Sequence, residues 1–170
     1  MRILYHIWMA PECRKVRIVL HEKQIDFKLY AENTQERRLE FLALNPAGEI
    51  PVLVESDGTA ISGSDAIAEF FDEVCPNPPL IGGLAIGRAE VRRLVRWFDI
   101  KFNREVTENL VGQKLTKRYF GQGGPMGAAV RAGHVNIHHH LDYIGYLTER
   151  RRWLAGDDFS LADIAAAAHL

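Results

Sequence analysis

The sequence predicts an α+β unit followed by an all-α unit, and three observations predict it. Alternating and helix-spaced apolar segments interleave over roughly the first 75 residues. A Pro/Gly-rich stretch, CPNPPLIGG, then interrupts the pattern. Beyond it, apolar residues recur only every three or four positions. We expect a first domain over 1–75, a linker over 76–86 and a helical domain over 87–170.

RILYHI alternates and is rich in β-formers, which predicts a strand. Pro11 suits the first turn of a helix, and Glu12 complements the positive end of its dipole; Val16, Val19 and Leu20 carry that helix toward Lys23. FKLYA reads as a second strand, and RRLEFLALN as a short helix stopped by NPAG. IPVLVE and TAI flank Ser56-Asp57-Gly58, a hairpin signal. SGSDAIAEFFDEVC follows, where Ser62 and Asp65 have the spacing of a capping box. The order is β-α-β-α-β-β-α. In the second half, Val91, Leu94, Val95, Phe98, Phe102, Val106 and Leu110 mark one face of a long helix. Val130, Ile137, Leu141, Ile144 and Leu147 mark another. Ser160 and Asp163 form a capping box for a third, with Phe159 placed to staple its start. The Ala-rich helix closing at Leu170 needs cover, so further residues are expected beyond it.

Composition narrows the function. Of 170 residues, 47% are hydrophobic, enough for a core, and the net charge of -1 gives no general pull toward nucleic acid or an anionic membrane. No apolar run is long enough to span a bilayer, and MRILYHIW lacks a signal-peptide layout. Two cysteines, Cys13 and Cys75, are too few for a disulfide scaffold; both are expected as reduced thiols in the cytoplasm.

The β-α-β-α-β-β-α unit, the Pro-rich linker and the helical half, with NPAGEIPVL, SDAI and SLADIAAA, resemble the glutathione S-transferase superfamily along the whole chain. The resemblance implies a thioredoxin-like first domain, an all-α second domain and a homodimer. A narrower set of strings, RKVRI, EFLALNPAG, RAEVRRLV, REVTENL, HLDYIG and WLAGD, is similar to a branch of the superfamily in alphaproteobacteria. That branch binds the tubulin-like division protein FtsZ and is not regarded as catalytic. The two functions carried forward are an FtsZ-filament-binding protein recruited to the division site and, as the alternative, a glutathione transferase acting on small electrophiles.

Superfamily members hold the glutathione sulfur as thiolate at the turn into the first helix. Aligned on RKVRI, their serine or cysteine falls at Ala10, which has neither donor nor nucleophile. Ala10-Pro11-Glu12-Cys13 also looks like a redox C-P-x-C motif lacking its attacking cysteine. The candidate catalytic groups are Cys13 and Tyr5. The helix dipole, Arg14 and Lys15 would lower the Cys13 thiol pKa, with Glu12 opposing. A buried filler is the commoner role for such a cysteine, and the core the commoner role for a strand tyrosine. His6 reads as an interface or solvent residue.

The resemblance makes Ile50, Pro51, Ser64 and Asp65 the inherited glutathione-type pocket. It implies a cis bond before Pro51, a backbone edge at Ile50 for an extended peptide, and a carboxylate at the helix start by Ser64. Gly63 stands where members carry an acid or glutamine. No cofactor is required on this reading, and the losses at Ala10 and Gly63 argue against glutathione. His134, His138 and Asp142 share a helix face but lack a further ligand, so no metal site is expected. Arg88, Arg92 and Arg96 form a basic stripe that reads as solvated surface or as a contact for an acidic partner. Arg37 and Arg38 fall near the pocket edge, where an exposed arginine without a partner is the commoner case.

Overall fold

The structure is a computed structural model describing residues 1–170. It divides into two compact units, Met1–Ile81 and Gly82–Leu170. The first is built on a four-stranded sheet in the order β2-β1-β3-β4. β1 (Arg2–His6) runs parallel to β2 (Phe27–Ala31) and antiparallel to β3 (Val52–Val54), which pairs antiparallel with β4 (Ala60–Ser62). Helices α1 (Pro11–Glu22), α2 (Leu39–Leu44) and α3 (Ser64–Val74) complete the predicted order.

Alternation along the strands divides the residues between two layers. Leu4 and Leu53 meet Val16 and Leu20 of α1 and Ile67 and Phe71 of α3. Tyr5, one residue along, packs against Tyr30 at 4.9 Å and Phe41 of α2 at 5.6 Å. Local turn chemistry joins the elements. In NPAG the Asn45 side chain accepts from the Ala47 N–H and donates to the Glu49 carbonyl, and Gly48 takes φ 70. At the hairpin the Thr59 N–H donates to the Asp57 carboxylate and Gly58 takes φ 92.

Two lysines of this unit have fully buried side chains. Lys15 reaches Asp65 at 2.5 Å, and Lys23 reaches Asp72 at 2.7 Å. This corrects the capping box expected at Ser62. Ser62 is the last residue of β4, paired with Val52, and the N-cap of α3 is Gly63, with no side-chain cap. Asp65 is drawn instead to the buried ammonium, whose uncompensated charge would be costly. Lys23 also donates to the Cys75 and Pro78 carbonyls, and Asp72 accepts from the Leu80 and Ile81 N–H groups. The Pro-rich stretch is thus pinned to the first unit as far as Ile81.

The second unit holds α4 (Ala85–Arg96), which runs directly into a helix of wider, π-type turns over Trp97–Thr116 and then α5 (Lys117–Tyr119). At its end the Lys117 N–H bonds the Gly112 carbonyl, five residues back. Val91, Leu94, Val95, Phe98, Phe102 and Val106 are buried, as their spacing predicts. α6 (Gly127–Thr148) and α7 (Leu161–His169) pack on this helix. α7 opens with the predicted Ser160–Asp163 capping box, while Phe159 packs on Trp153 at 5.1 Å.

The face of α6 departs from expectation. Leu141 is exposed, and the inward residues are Gly133, His140 and Leu147. A polar bridge explains this. The Trp97 indole N–H donates to His140 Nδ1 at 3.1 Å, so the ring proton sits on Nε2 and is donated to Glu105 at 3.1 Å. Lys101 donates to the other Glu105 oxygen at 2.5 Å. Burial lowers the His140 pKa from its ordinary value, against the raising effect of Glu105.

A Cβ on Gly133 would sit 2.8 Å from Leu110 Cγ and 2.9 Å from Asn109 Cβ. Gly133→Ala should therefore destabilise the chain by about 1–2 kcal/mol, the overpacking cost outweighing the gain in helix propensity, as read by denaturant unfolding. For His140, the folded pKa lies below the unfolded one. Its stabilisation is full above the unfolded value of about 6.5 and is lost as pH falls toward the folded value. Protonated Nδ1 cannot accept from Trp97. Of the three tryptophan indole N–H resonances, that of Trp97 should move most as pH falls below about 6.5.

Candidate functional site

The turn at Gly63 and the first turn of α1 border one cavity in the first unit. Its volume is about 580 Å³, within the range of small-ligand clefts. Ile50, Pro51, Ser64 and Asp65, the four pocket residues expected from the sequence, all line it. The Ile50–Pro51 bond is cis. Ser64 opens α3, and no side chain caps the N–H groups of that first turn. The Pro51 carbonyl is already taken by the Gly63 N–H at 3.0 Å, which sets the turn.

Glu12 and Glu49 also line the cavity, and sequence reasoning missed both. With Asp65 they make three carboxylates, of which one is balanced by Lys15. The signal for Glu12 was available in its place at the first helical turn, next to the motif position. Glu49 had no signal beyond its place beside Ile50. The lining therefore carries two carboxylates, Glu12 and Glu49, besides the lysine-paired Asp65.

The two catalytic candidates lie apart from this lining. Cys13 is fully buried, and burial pushes its thiol up to about 12. This corrects the lowered pKa expected from the helix start and the neighbouring cations. A contact with the Ile7 backbone lowers the pKa, but desolvation outweighs it. Tyr5 is half-buried between Tyr30 and Phe41 as part of the core. Ala10 is the N-cap of α1 and makes no side-chain hydrogen bond. Neither thiolate nor hydroxyl is presented to the cavity from this turn.

The remaining sequence candidates divide similarly. His6 is buried, not solvent-facing, with Nδ1 3.3 Å from Arg17, and burial lowers its pKa. Arg38 is not unpaired: it grips the buried Glu32 through two nitrogens at 3.2 and 2.6 Å. His134, His138 and Asp142 are exposed. No helix is long and apolar enough to cross a membrane.

Residues 4–79 match the family model described as glutathione S-transferase, N-terminal domain. The chain is 44% identical over 172 residues to FtsZ-localized protein A of Caulobacter vibrioides, covering 99% of this chain and 75% of that protein. Among solved structures, a glutathione S-transferase from Rhodospirillum rubrum F11 superposes with a TM-score of 0.96 at 56% identity, covering 99% of this chain and 76% of that one. FzlA from C. crescentus superposes with a TM-score of 0.93 at 43% identity, with the same coverage.

The buried thiol makes a direct prediction. In the folded protein, Cys13 should resist a disulfide-exchange reagent at mildly alkaline pH while half-buried Cys75 reacts. Thiol titration should give a single fast equivalent that Cys75→Ser abolishes and full reaction only on denaturation.

Proposed function

The chain belongs to the glutathione S-transferase family, and we propose that within it this protein is a non-catalytic member that binds FtsZ filaments in bacterial cell division. The observation that carries this reading is the whole-chain likeness to FtsZ-localized protein A. The site supports it. Ala10 offers no donor for a thiolate, Cys13 is buried with its pKa raised, and Gly63 presents no side chain to the cavity. In this reading the protein is a cytoplasmic homodimer, recruited to the division site, that needs no cofactor and does not engage nucleic acid.

The alternative, a glutathione transferase, draws support from the retained backbone of the cavity and from the Rhodospirillum rubrum relative. It is the weaker reading because Ala10 offers no group to hold a thiolate, Gly63 presents no side chain and the Cys13 thiol is buried.

The test is sedimentation with FtsZ from the same organism assembled in GTP. The purified protein should co-pellet with the filaments and saturate as its concentration rises. Failure to co-pellet under every nucleotide condition would overturn the reading.

A further inference from the structure

The second unit carries a cavity of about 220 Å³ lined by Arg93, Arg96, Trp97, Ile100 and Lys101. These residues recur every three or four positions, so they share one side of the long helix. The opposite side is the buried one, with Val91, Leu94, Val95, Phe98 and Phe102. Trp97 is half-buried, with Tyr143 packed on its ring at 4.7 Å. Lys101 lies 5.6 Å from the centroid of the same ring, and Ile100 is 47% exposed. The cavity therefore has an aromatic and an aliphatic wall, and room for one large side chain.

The rim is more cationic than its own carboxylates balance. Glu90 is shared by Arg93 at 2.7 Å and Arg151 at 2.6 Å, and these two hold its pKa down to about 2. Glu105 is shared by Lys101 at 2.5 Å and Arg104 at 3.5 Å, and it also accepts from His140. Two carboxylates thus serve four cations, and exposed Arg96 pairs with neither. Asp99, the residue before Ile100, adds no charge here, because it is largely buried and faces His169 at 3.5 Å.

We propose that this face is a docking site for a short acidic segment of a partner protein, with one apolar side chain entering the cavity beside Trp97 and flanking carboxylates meeting Arg96, Arg93 and Lys101. Charge complementarity selects that occupant. An aromatic side chain would stack against the indole, and a guanidinium without a carboxylate of its own can take one from the partner. A second copy of the chain meeting this face symmetrically would bring like charges together. The site lies wholly in the second unit and stands independently of the FtsZ reading.

The probe is the peptide acetyl-Asp-Glu-Phe-Glu-Asp-amide, titrated into the whole 170-residue chain near neutral pH and low ionic strength. The readout is the Trp97 indole N–H resonance, identified by its loss in Trp97→Phe. It should shift saturably, with a dissociation constant below about 1 mM. Added salt should weaken the binding severalfold. Alanine in place of the peptide's phenylalanine, or lysine in place of its acids, should remove the response. Arg96→Glu should weaken binding at least about tenfold, and Ile100→Ser, which keeps every charge, should weaken it as well. The absence of a saturable shift overturns the proposal. So does a response that the lysine peptide reproduces or that both variants retain. A Trp97 shift that follows protein concentration without peptide would assign the face to a second copy and overturn it too.

Discussion

Two fully buried lysines, one in α1 and one just past its end, pair with two carboxylates of α3, and those pairs organise the first unit. Lys15 stands in the second turn of α1 and Lys23 just past its end; Asp65 and Asp72 stand at the start and toward the end of α3. The spacings, eight residues and seven, match only if the two helices run in the same direction. Removing Asp72 would leave the Lys23 ammonium buried with backbone carbonyls alone, a cost of about 3–5 kcal/mol for a buried pair. Apolar packing of Val16 and Leu20 on Ile67 and Phe71 holds the helices together, but it would tolerate sliding. The ion pairs remove that freedom. They set the first turn of α3 beside the first turn of α1, so Glu12 and Ser64 border the same cavity.

The same pairs explain which parts of the molecule were legible in the sequence. Strands and helices were readable because alternation and helical spacing are local: Leu4 and Tyr5 part to opposite layers, and Val91 to Val106 bury as their period demands. The Ser160 capping box was readable because nothing distant competes for Asp163 beyond the Leu154 N–H. Asp65 has the same local pattern yet a different fate, because Lys15 lies 50 residues away in sequence and 2.5 Å away in space. A capping rule counts neighbours in the chain and cannot register that partner.

His140 and Cys13 failed for a related reason. In HVNIHHHLD the residue types invite attention to His134 and His138, while the inward position is His140, fixed by Trp97 and Glu105 on another helix. Leu141 yields that place because a bridge with both ring nitrogens satisfied can replace a leucine inside without leaving a polar atom orphaned. For Cys13 the local cues, a helix start and two cations, point toward a low pKa, and burial reverses the sign. Desolvation depends on what covers a group, which is a property of the fold and not of the adjacent residues.

The charges on α1 carry the functional argument to its last step. Glu12 and Arg14 are two residues apart, about 200° around a helix, and so lie on nearly opposite sides. Glu12 faces the cavity, where with Glu49 it leaves an excess of negative charge after Lys15 has neutralised Asp65. Arg14 lies on the face shared with Arg17, where positive charge is in excess and a donor is orphaned. The cavity retains the backbone turn at Pro51 and the helix start at Ser64, which belong to the fold, while the side chains around them favour a different charge. The sheet and α3 need those backbone features whatever the cavity holds, whereas the side chains around them can differ without cost to the fold. That separation is what a scaffold kept for binding protein filaments would show.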